Sequence, residues 1–228
     1  MRFPSLVPVL AGAALLAPTS PPAAAVPHGL RREAPVSAAE LRARTRDCAQ
    51  VSHGRYREDA GGPAEVRVCA NRGAVFWKAD MDIDCDGRPG TRCNRRTDPD
   101  FSPATAFPQS DGRPLDAERL PYIVIPAAGP RWDHRAHGVR GGSVAAVLYG
   151  ERVRYAVVGD TGPRDLIGEA SYATARALGI DPDPRVGGAP SGVTYIVFRD
   201  TRARPIEDHD EAVAQGEKLA RKFVGRTG

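Results

Sequence analysis

The stretch YAVVGDTGPRDLIGEASYATARALG, residues 155–179, decides the fold. Its first four residues are typical of a buried strand, and the glycine- and proline-rich segment 159–168 predicts a loop. Residues 170–178 then predict a helix with small residues on its inner side. This order of elements places Asp160 at the end of a strand and Glu169 at the start of a helix.

Asp160 and Glu169 are therefore the candidate catalytic residues. The chain between them has about eight residues of at most ~3.5 Å each and must return to the sheet, so we expect the two carboxylates within roughly a nanometre. At such separations, paired carboxylates act as general acid and base on glycosidic bonds. The same residues also occur without catalysis, because acidic residues cap helices and Asp before Thr-Gly-Pro is an ordinary turn residue.

Upstream, an extended segment carries an aspartate at every second position: Asp80, Asp82, Asp84 and Asp86. Alternate side chains of a strand share one face, so the four carboxylates are expected to point the same way. Their mutual repulsion requires cations, which are substrate ammonium groups, basic side chains such as Lys78 and Arg88, or calcium. An EF-hand pattern begins at Asp82, but its twelfth position is Cys93 instead of Glu, so substrate binding is the favoured interpretation.

Strand patterns recur along the chain at residues 66–69, 75–84, 122–126, 144–149, 153–158 and 193–198. A hairpin is expected at Gly150. Ser37 and Glu40 form a capping box that predicts a helix ending near residue 50. A second amphipathic pattern predicts a helix at about 207–224.

The N-terminal residues are typical of an exported protein. Arg2 precedes an apolar run at residues 6–17 that is too short to span a bilayer, and three alanines at 23–25 provide a cleavage site. The remaining length fits one core. We expect three regions: a signal peptide at 1–25, a flexible arm at 26–36 and a single catalytic domain at 37–228.

Export makes the four cysteines candidates for two disulfide bonds. Of the three possible connectivities, we expect Cys48–Cys69 and Cys85–Cys93, which join sequence neighbours and leave none free. The histidines are scattered and the cysteines lack paired short spacings, so neither zinc nor another cofactor is expected. A polar, proline-rich excursion follows Cys85 and reaches Leu120, and such a long loop is typically functional or partly disordered.

The charge distribution argues against a nucleic-acid partner. The net charge is +4, but arginines alternate with acidic residues and no basic patch contains interleaved aromatic residues. No later stretch is apolar enough for a membrane span, and we expect a monomer. A positive chain repels a polycation, so binding one would require a locally acidic cleft.

Five segments together resemble the fungal-type chitosanases of glycoside hydrolase family 75. They occur in the family's order over about residues 74–198: FWKADMDIDCDG (76–87), PYIVIP (121–126), VVGDTGP (157–163), IGEASYATARALG (167–179) and GVTYIVF (192–198). The resemblance implies a secreted, inverting endo-chitosanase that hydrolyses β-1,4 linkages between glucosamine residues. It also implies that Asp160 and Glu169 are the catalytic carboxylates.

A second resemblance, to double-psi β-barrel proteins such as rare lipoprotein A and the expansins, concerns the fold. It rests on the strand, the Asp-x-Gly-Pro turn and the acidic residue followed by Ala-Ser. It implies a mainly β, single-domain, six-stranded double-psi β-barrel-like architecture with flanking helices. In related barrel cellulases, the residue matching Glu169 is the general acid, which favours Asp160 as the base. One of the four upstream aspartates is the alternative base.

For a chitosan substrate, we expect Asp80, Asp82, Asp84 and Asp86 to bind ammonium groups. Sugar faces also stack on aromatic rings, and Trp132 in its polar loop is the preferred candidate over Trp77 and Tyr122. Two other functions remain open from sequence. One is a hydrolase or lyase acting on another wall polysaccharide, and the other is a non-catalytic wall-binding barrel.

Overall fold

The computed structural model describes residues 35–226, so the expected signal peptide at 1–25 and most of the arm at 26–36 lie outside the described residues. The helices are α1 (Ala38–Arg44), α2 (Tyr172–Leu178) and α3 (His209–Val224). The strands are β1 (Ala49–Gln50), β2 (Tyr56–Arg57), β3 (Ala64–Val66), β4 (Cys69–Asn71), β5 (Ala74–Asp84), β6 (Tyr122–Pro126), β7 (Val144–Tyr149), β8 (Arg152–Gly162), β9 (Glu169–Ser171) and β10 (Ala189–Phe198). Across residues 35–226, no helix has the length and apolar character needed to cross a membrane.

Six of these strands close into a barrel. β5 pairs with β10, followed in order by β7, β8, β6 and β9, and β9 pairs back with β5. The β5–β9 and β6–β8 pairings are parallel, and the other four are antiparallel. The expected mainly β fold, with a six-stranded barrel and flanking helices, is confirmed.

The barrel strands bury residues on both faces. In β7, Ala145 belongs to one buried apolar cluster and Val144 to a second. This two-sided burial explains why the strand is a continuous apolar run without polar alternation. Helix α3 packs Phe223 into the cluster of Val144, and α2 packs Leu178 into the cluster of Ala145.

Several predicted boundaries agree with the structure. β6 and β7 span the expected residues 122–126 and 144–149, and a tight turn at Gly150 connects β7 to β8. Other predictions were wrong in extent. Helix α1 ends at Arg44, well before residue 50, and the strand expected at 66–69 is divided between β3 and β4.

Strand β8 is longer than the sequence pattern predicted. It continues through Asp160 to Gly162 because β6 pairs with it in parallel, with Val124 opposite Asp160 and Pro126 opposite Gly162. The strand therefore does not end at Val158, and the loop before Glu169 is shorter than predicted. Asp160 is therefore held within a hydrogen-bonded strand.

Glu169 lies in the short strand β9 and does not open a helix as expected. Its backbone pairs in parallel with Asp82 of β5. Helix α2 starts only at Tyr172, where the Ser171 side chain caps it by accepting a hydrogen bond from the Thr174 N–H at 3.2 Å. Glu169 is thus positioned by sheet pairing.

Both disulfide bonds form as predicted, Cys48–Cys69 and Cys85–Cys93. The second ties the start of the long excursion to the end of β5. The excursion contains no helix or strand among the described residues, but backbone hydrogen bonds fold it against itself. The Arg88 N–H, for example, donates to the Leu115 carbonyl at 2.8 Å.

Candidate active site

Asp160 and Glu169 lie on strands that flank the same central strand, β6. Asp160 pairs with Val124, and Ala170 pairs with Ile123. The antiparallel register of β6 and β9 therefore also places Glu169 beside Val124. Since neighbouring strands lie ~4.8 Å apart, the Cα atoms of Asp160 and Glu169 are roughly 10 Å apart across β6.

These residues line one cleft with a volume of about 570 Å³. Seven carboxylates contribute to its lining: Asp82, Asp84, Asp86, Asp98, Asp100, Asp160 and Glu169. Among the described residues, Arg185 is the one basic side chain in that lining. The chain thus has a strongly acidic cleft despite its net charge of +4.

The Asp160 carboxylate is held firmly in this cleft. It is 6 % exposed, and its Oδ1 accepts hydrogen bonds from the backbone N–H groups of Ala106 at 2.8 Å and Thr161 at 2.7 Å. Burial raises the pKa of Asp160, while these two hydrogen bonds act in the opposite direction. The carboxylate therefore has a defined orientation in a partly desolvated site.

Glu169 is a partly desolvated carboxyl group in the same cleft. Burial raises its pKa to about 7, and the negative charges of Asp82, Asp86 and Asp160 contribute in the same direction. A Cβ added at Gly162 would lie 2.7 Å from Glu169 Oε2, so the absence of a side chain there leaves room for the carboxyl group. A substantial fraction of Glu169 is thus protonated near neutral pH.

Asp84 and Asp86 extend the acidic surface beside this pair. Burial raises the pKa of Asp84 well above its usual range, with further contributions from Asp86, Asp160 and Glu169. The pKa of Asp86 rises to about 6, mainly through burial, although its Oδ1 accepts the Ser102 N–H at 2.7 Å. Such closely spaced carboxyl groups share protons at neutral pH or bind cations.

Asp80 points to the same side of β5 as Asp82. Contrary to the sequence prediction, it does not line the cleft. It is 6 % exposed, because the chain at Gly168 crosses directly over its carboxyl group. The Asp82 N–H donates to the Gly168 carbonyl at 2.8 Å and holds this crossing in place. Direct contact between Asp80 and a polymer in the cleft is therefore not supported.

Trp132 also lies away from the expected position. Its ring is 1 % exposed and packs edge-on against Trp77, with ring centroids 6.3 Å apart. Its Nε1 donates to His137 Nδ1 at 3.1 Å. The polar loop folds back and buries the indole in the core, so it offers no stacking face to a sugar.

Sequence reasoning did not identify three residues that line the cleft. Asp98 and Asp100 come from the long excursion, and Arg185 comes from the loop between α2 and β10. Arg185 Nε donates to the Thr97 carbonyl at 2.9 Å, which links the two segments. The only local signal was the Asp-Pro-Asp spacing, which by itself indicates a turn.

A closed β-barrel that presents two desolvated carboxylates across an open acidic cleft has the site arrangement used by glycoside hydrolases. The chain belongs to the family whose model is described as fungal chitosanase of glycosyl hydrolase group 75, and this model matches residues 81–224.

Three similar proteins come from Aspergillus species. An endo-chitosanase of Aspergillus oryzae is 33 % identical over 145 residues, which cover 58 % of this chain and 58 % of the relative. An endo-chitosanase of Aspergillus fumigatus is 30 % identical over 152 residues, covering 63 % and 62 %. Endo-chitosanase B of Aspergillus oryzae is 30 % identical over 174 residues, covering 64 % and 72 %. The chain thus spans about 58 % of the length of the first of these relatives.

Proposed function

We propose that this protein is a secreted endo-chitosanase that hydrolyses β-1,4 linkages between glucosamine residues with inversion at the anomeric carbon. The observation that carries the proposal is the row Asp160–Val124–Glu169 across three adjacent strands in one acidic cleft. Membership of the chitosanase family supports the substrate. Two disulfide bonds support export to an oxidising compartment.

In the proposed mechanism, protonated Glu169 donates its proton to the glycosidic oxygen as the C1–O bond breaks. Asp160 accepts a proton from a water molecule, whose oxygen attacks C1 from the opposite face. Inverting enzymes hold the two carboxyl groups roughly 6.5–9.5 Å apart so that this water fits. The Cα separation of roughly 10 Å across β6, with both side chains lining one cleft, supports that geometry. The products are one new reducing end and one new non-reducing end.

The remaining cleft carboxylates would bind the ammonium groups of the polymer. Asp82, Asp84 and Asp86 lie on the Glu169 side, and Asp98 and Asp100 come from the excursion. An acetamido group has no charge for these carboxylates to meet. This charge pairing explains a preference for chitosan over chitin.

The experiment that tests the proposal is the release of reducing ends from soluble, highly deacetylated chitosan by the mature protein. Proton NMR of the first products reports the anomer formed at the cut. We expect rapid shortening of the polymer and initial formation of the α-anomer. Binding of chitosan without new reducing ends would refute the enzymatic proposal, and an initial β-anomer would refute inversion.

The charge pairing predicts a measurable specificity. The wild type should hydrolyse a glucosamine hexamer with a kcat/KM at least a hundredfold above that for the N-acetylated hexamer, since a charged hydrogen bond contributes about 1.5–3 kcal/mol. The double variant Asp86→Asn/Asp100→Asn should reduce this ratio several-fold, mainly through a higher KM for the glucosamine hexamer. An unchanged ratio would contradict ammonium recognition by these aspartates.

Gly162→Ala should lower kcat about ten- to a hundredfold with little change in the melting temperature. The new Cβ would meet Glu169 Oε2 at 2.7 Å and Val124 Cγ1 at 3.3 Å, so the flexible carboxyl end of Glu169 moves aside. A displacement of about 1 Å at a catalytic group is enough for a loss of this size. Gly129→Ala is the matched control, because its nearest neighbour lies 3.5 Å away. Equal kcat values for both variants would contradict the placement of Glu169.

A further inference from the structure

A second group of carboxylates lies at the edge of the cleft. Asp59 follows β2, and Asp80 and Asp82 lie on β5. One carboxylate oxygen from each of the three lies within 4.8 Å of the other two. Asp59 and Asp82 are exposed to solvent, whereas Asp80 is 6 % exposed. The group is therefore buried at Asp80 and open to solvent at Asp59 and Asp82.

The buried member of this group lacks a partner. Asp80 Oδ1 is buried and accepts no hydrogen bond from residues 35–226. A buried carboxyl oxygen without a hydrogen-bond donor is unfavourable, and a bound cation would supply the partner that protein atoms do not. Gly168 closes the site from one side, since a Cβ there would collide with Asp80 Oδ1.

Ion pairs within residues 35–226 do not balance the charge of this group either. Within the described part of the chain, no arginine or lysine forms an ion pair with Asp59, Asp80 or Asp82. Glu58 adds a fourth carboxylate nearby, and its Oε1 accepts the Asp80 N–H at 3.0 Å. The Tyr195 hydroxyl donates to the Asp80 carbonyl at 2.8 Å, which fixes the strand beneath the group. The carboxylates are thus held together by the fold despite their repulsion.

We propose that Asp59, Asp80 and Asp82 bind one divalent cation and that calcium is the cation best suited to the site. Calcium is bound by oxygen ligands at about 2.3–2.6 Å, so oxygens on opposite sides of the ion are roughly 4.6–5.2 Å apart. The three oxygens lie within 4.8 Å of one another, so all of them can reach one ion of this size. Magnesium, with bonds of about 2.0–2.1 Å, requires a smaller and stricter octahedron.

This site differs from the calcium pattern considered in the sequence. The EF-hand register would have used Asp82, Asp84 and Asp86. The fold instead groups Asp82 with Asp80 and with Asp59, which is distant in sequence. A bound ion would fasten the loop after β2 to β5 beside the cleft. Cation binding by this group does not depend on whether the cleft hydrolyses chitosan. When an ion occupies Asp82, ammonium binding falls to the other cleft aspartates, Asp84, Asp86, Asp98 and Asp100.

The test is calorimetric titration of CaCl₂ into the mature protein after treatment with EDTA and dialysis, in the absence of any polysaccharide. We expect one ion per chain, a Kd below about 1 mM, as in extracellular calcium modules, and a melting temperature several degrees higher with calcium. Asp59→Asn should weaken calcium binding at least tenfold. It should not lower the melting temperature of the calcium-free protein, because it removes a repulsive charge at an exposed position.

Asp100→Asn is the matched control, since Asp100 is an exposed cleft aspartate outside the group. Its calcium affinity should equal that of the wild type. Three results would overturn the proposal: no binding of calcium, magnesium or manganese at millimolar concentration, equal affinity in Asp59→Asn and wild type, or equal weakening by Asp100→Asn. If Asp59→Asn weakens binding of a glucosamine hexamer in EDTA while no ion binds, the group is an ammonium site instead.

Discussion

Asp160→Asn and Glu169→Gln should each lower kcat on soluble chitosan on the order of a thousandfold, because each removes one of the two proton transfers in the proposed mechanism. Both substitutions preserve the shape of the side chain. The asparagine introduced by Asp160→Asn would retain an oxygen that accepts the N–H groups of Ala106 and Thr161, so the fold around the site should persist. Reducing-end assays at saturating chitosan measure the loss.

The matched controls are Asp47→Asn and Glu151→Gln, which make the same chemical changes at exposed positions outside the cleft. All four variants should bind a glucosamine hexamer and have melting temperatures close to that of the wild type. If a folded Asp160→Asn variant retains more than a tenth of the activity, Asp160 is not the base. Asp84 is then the next candidate, because its carboxyl group is electrostatically coupled to both Asp160 and Glu169.

The pH dependence of kcat should show a steep loss on the alkaline side. Glu169 donates a proton in the proposed mechanism, and its pKa is raised to about 7, mainly by burial and then by Asp82, Asp86 and Asp160. Because the protonated form is the active one, kcat should be retained below pH 7 until the base itself becomes protonated. Above pH 7, it should fall about tenfold per pH unit.

The substrate's own amines lose their protons over a similar range, which weakens binding to an acidic cleft. The measurement must therefore report kcat at saturating concentrations of a soluble glucosamine hexamer, with circular dichroism to show that the fold persists. Asp86→Asn removes one of the charges that raise the pKa of Glu169, so it should move the alkaline limb to lower pH. A kcat that stays constant from pH 6.5 to 8.5 would exclude Glu169 as the general acid.

Much of the barrel could be predicted from local sequence. β6 and β7 are short, continuous apolar runs bounded by turn residues, and their limits agree with the structure. The disulfide partners were also predicted, since sequence neighbours are joined by short loops. Hydrophobic periodicity and turn-forming residues act over a few residues, so both can be recognised in a single sequence.

β9 had no comparable signal. Its three residues, Glu169–Ser171, resemble the start of a helix and become a strand only because β5 and β6 lie on either side to pair with them. The extension of β8 through Asp160 depends on β6 in the same way. Hydrogen bonding to a strand that is distant in sequence overrides the local helix or loop propensity of these residues. A local sequence pattern does not contain the position of that partner strand.

The sequence by itself determined five of the six barrel strands, the cysteine pairing and, through family resemblance, the choice of Asp160 and Glu169 as candidates. Tertiary structure alone decided which of the remaining residues reach the cleft: Asp98 and Asp100 line it, whereas Asp80 and Trp132 are covered. The physical reason is that the solvent exposure of a side chain is not set by its own residue type. It depends on what the rest of the chain packs against that residue, and for Asp80 this is the crossing at Gly168.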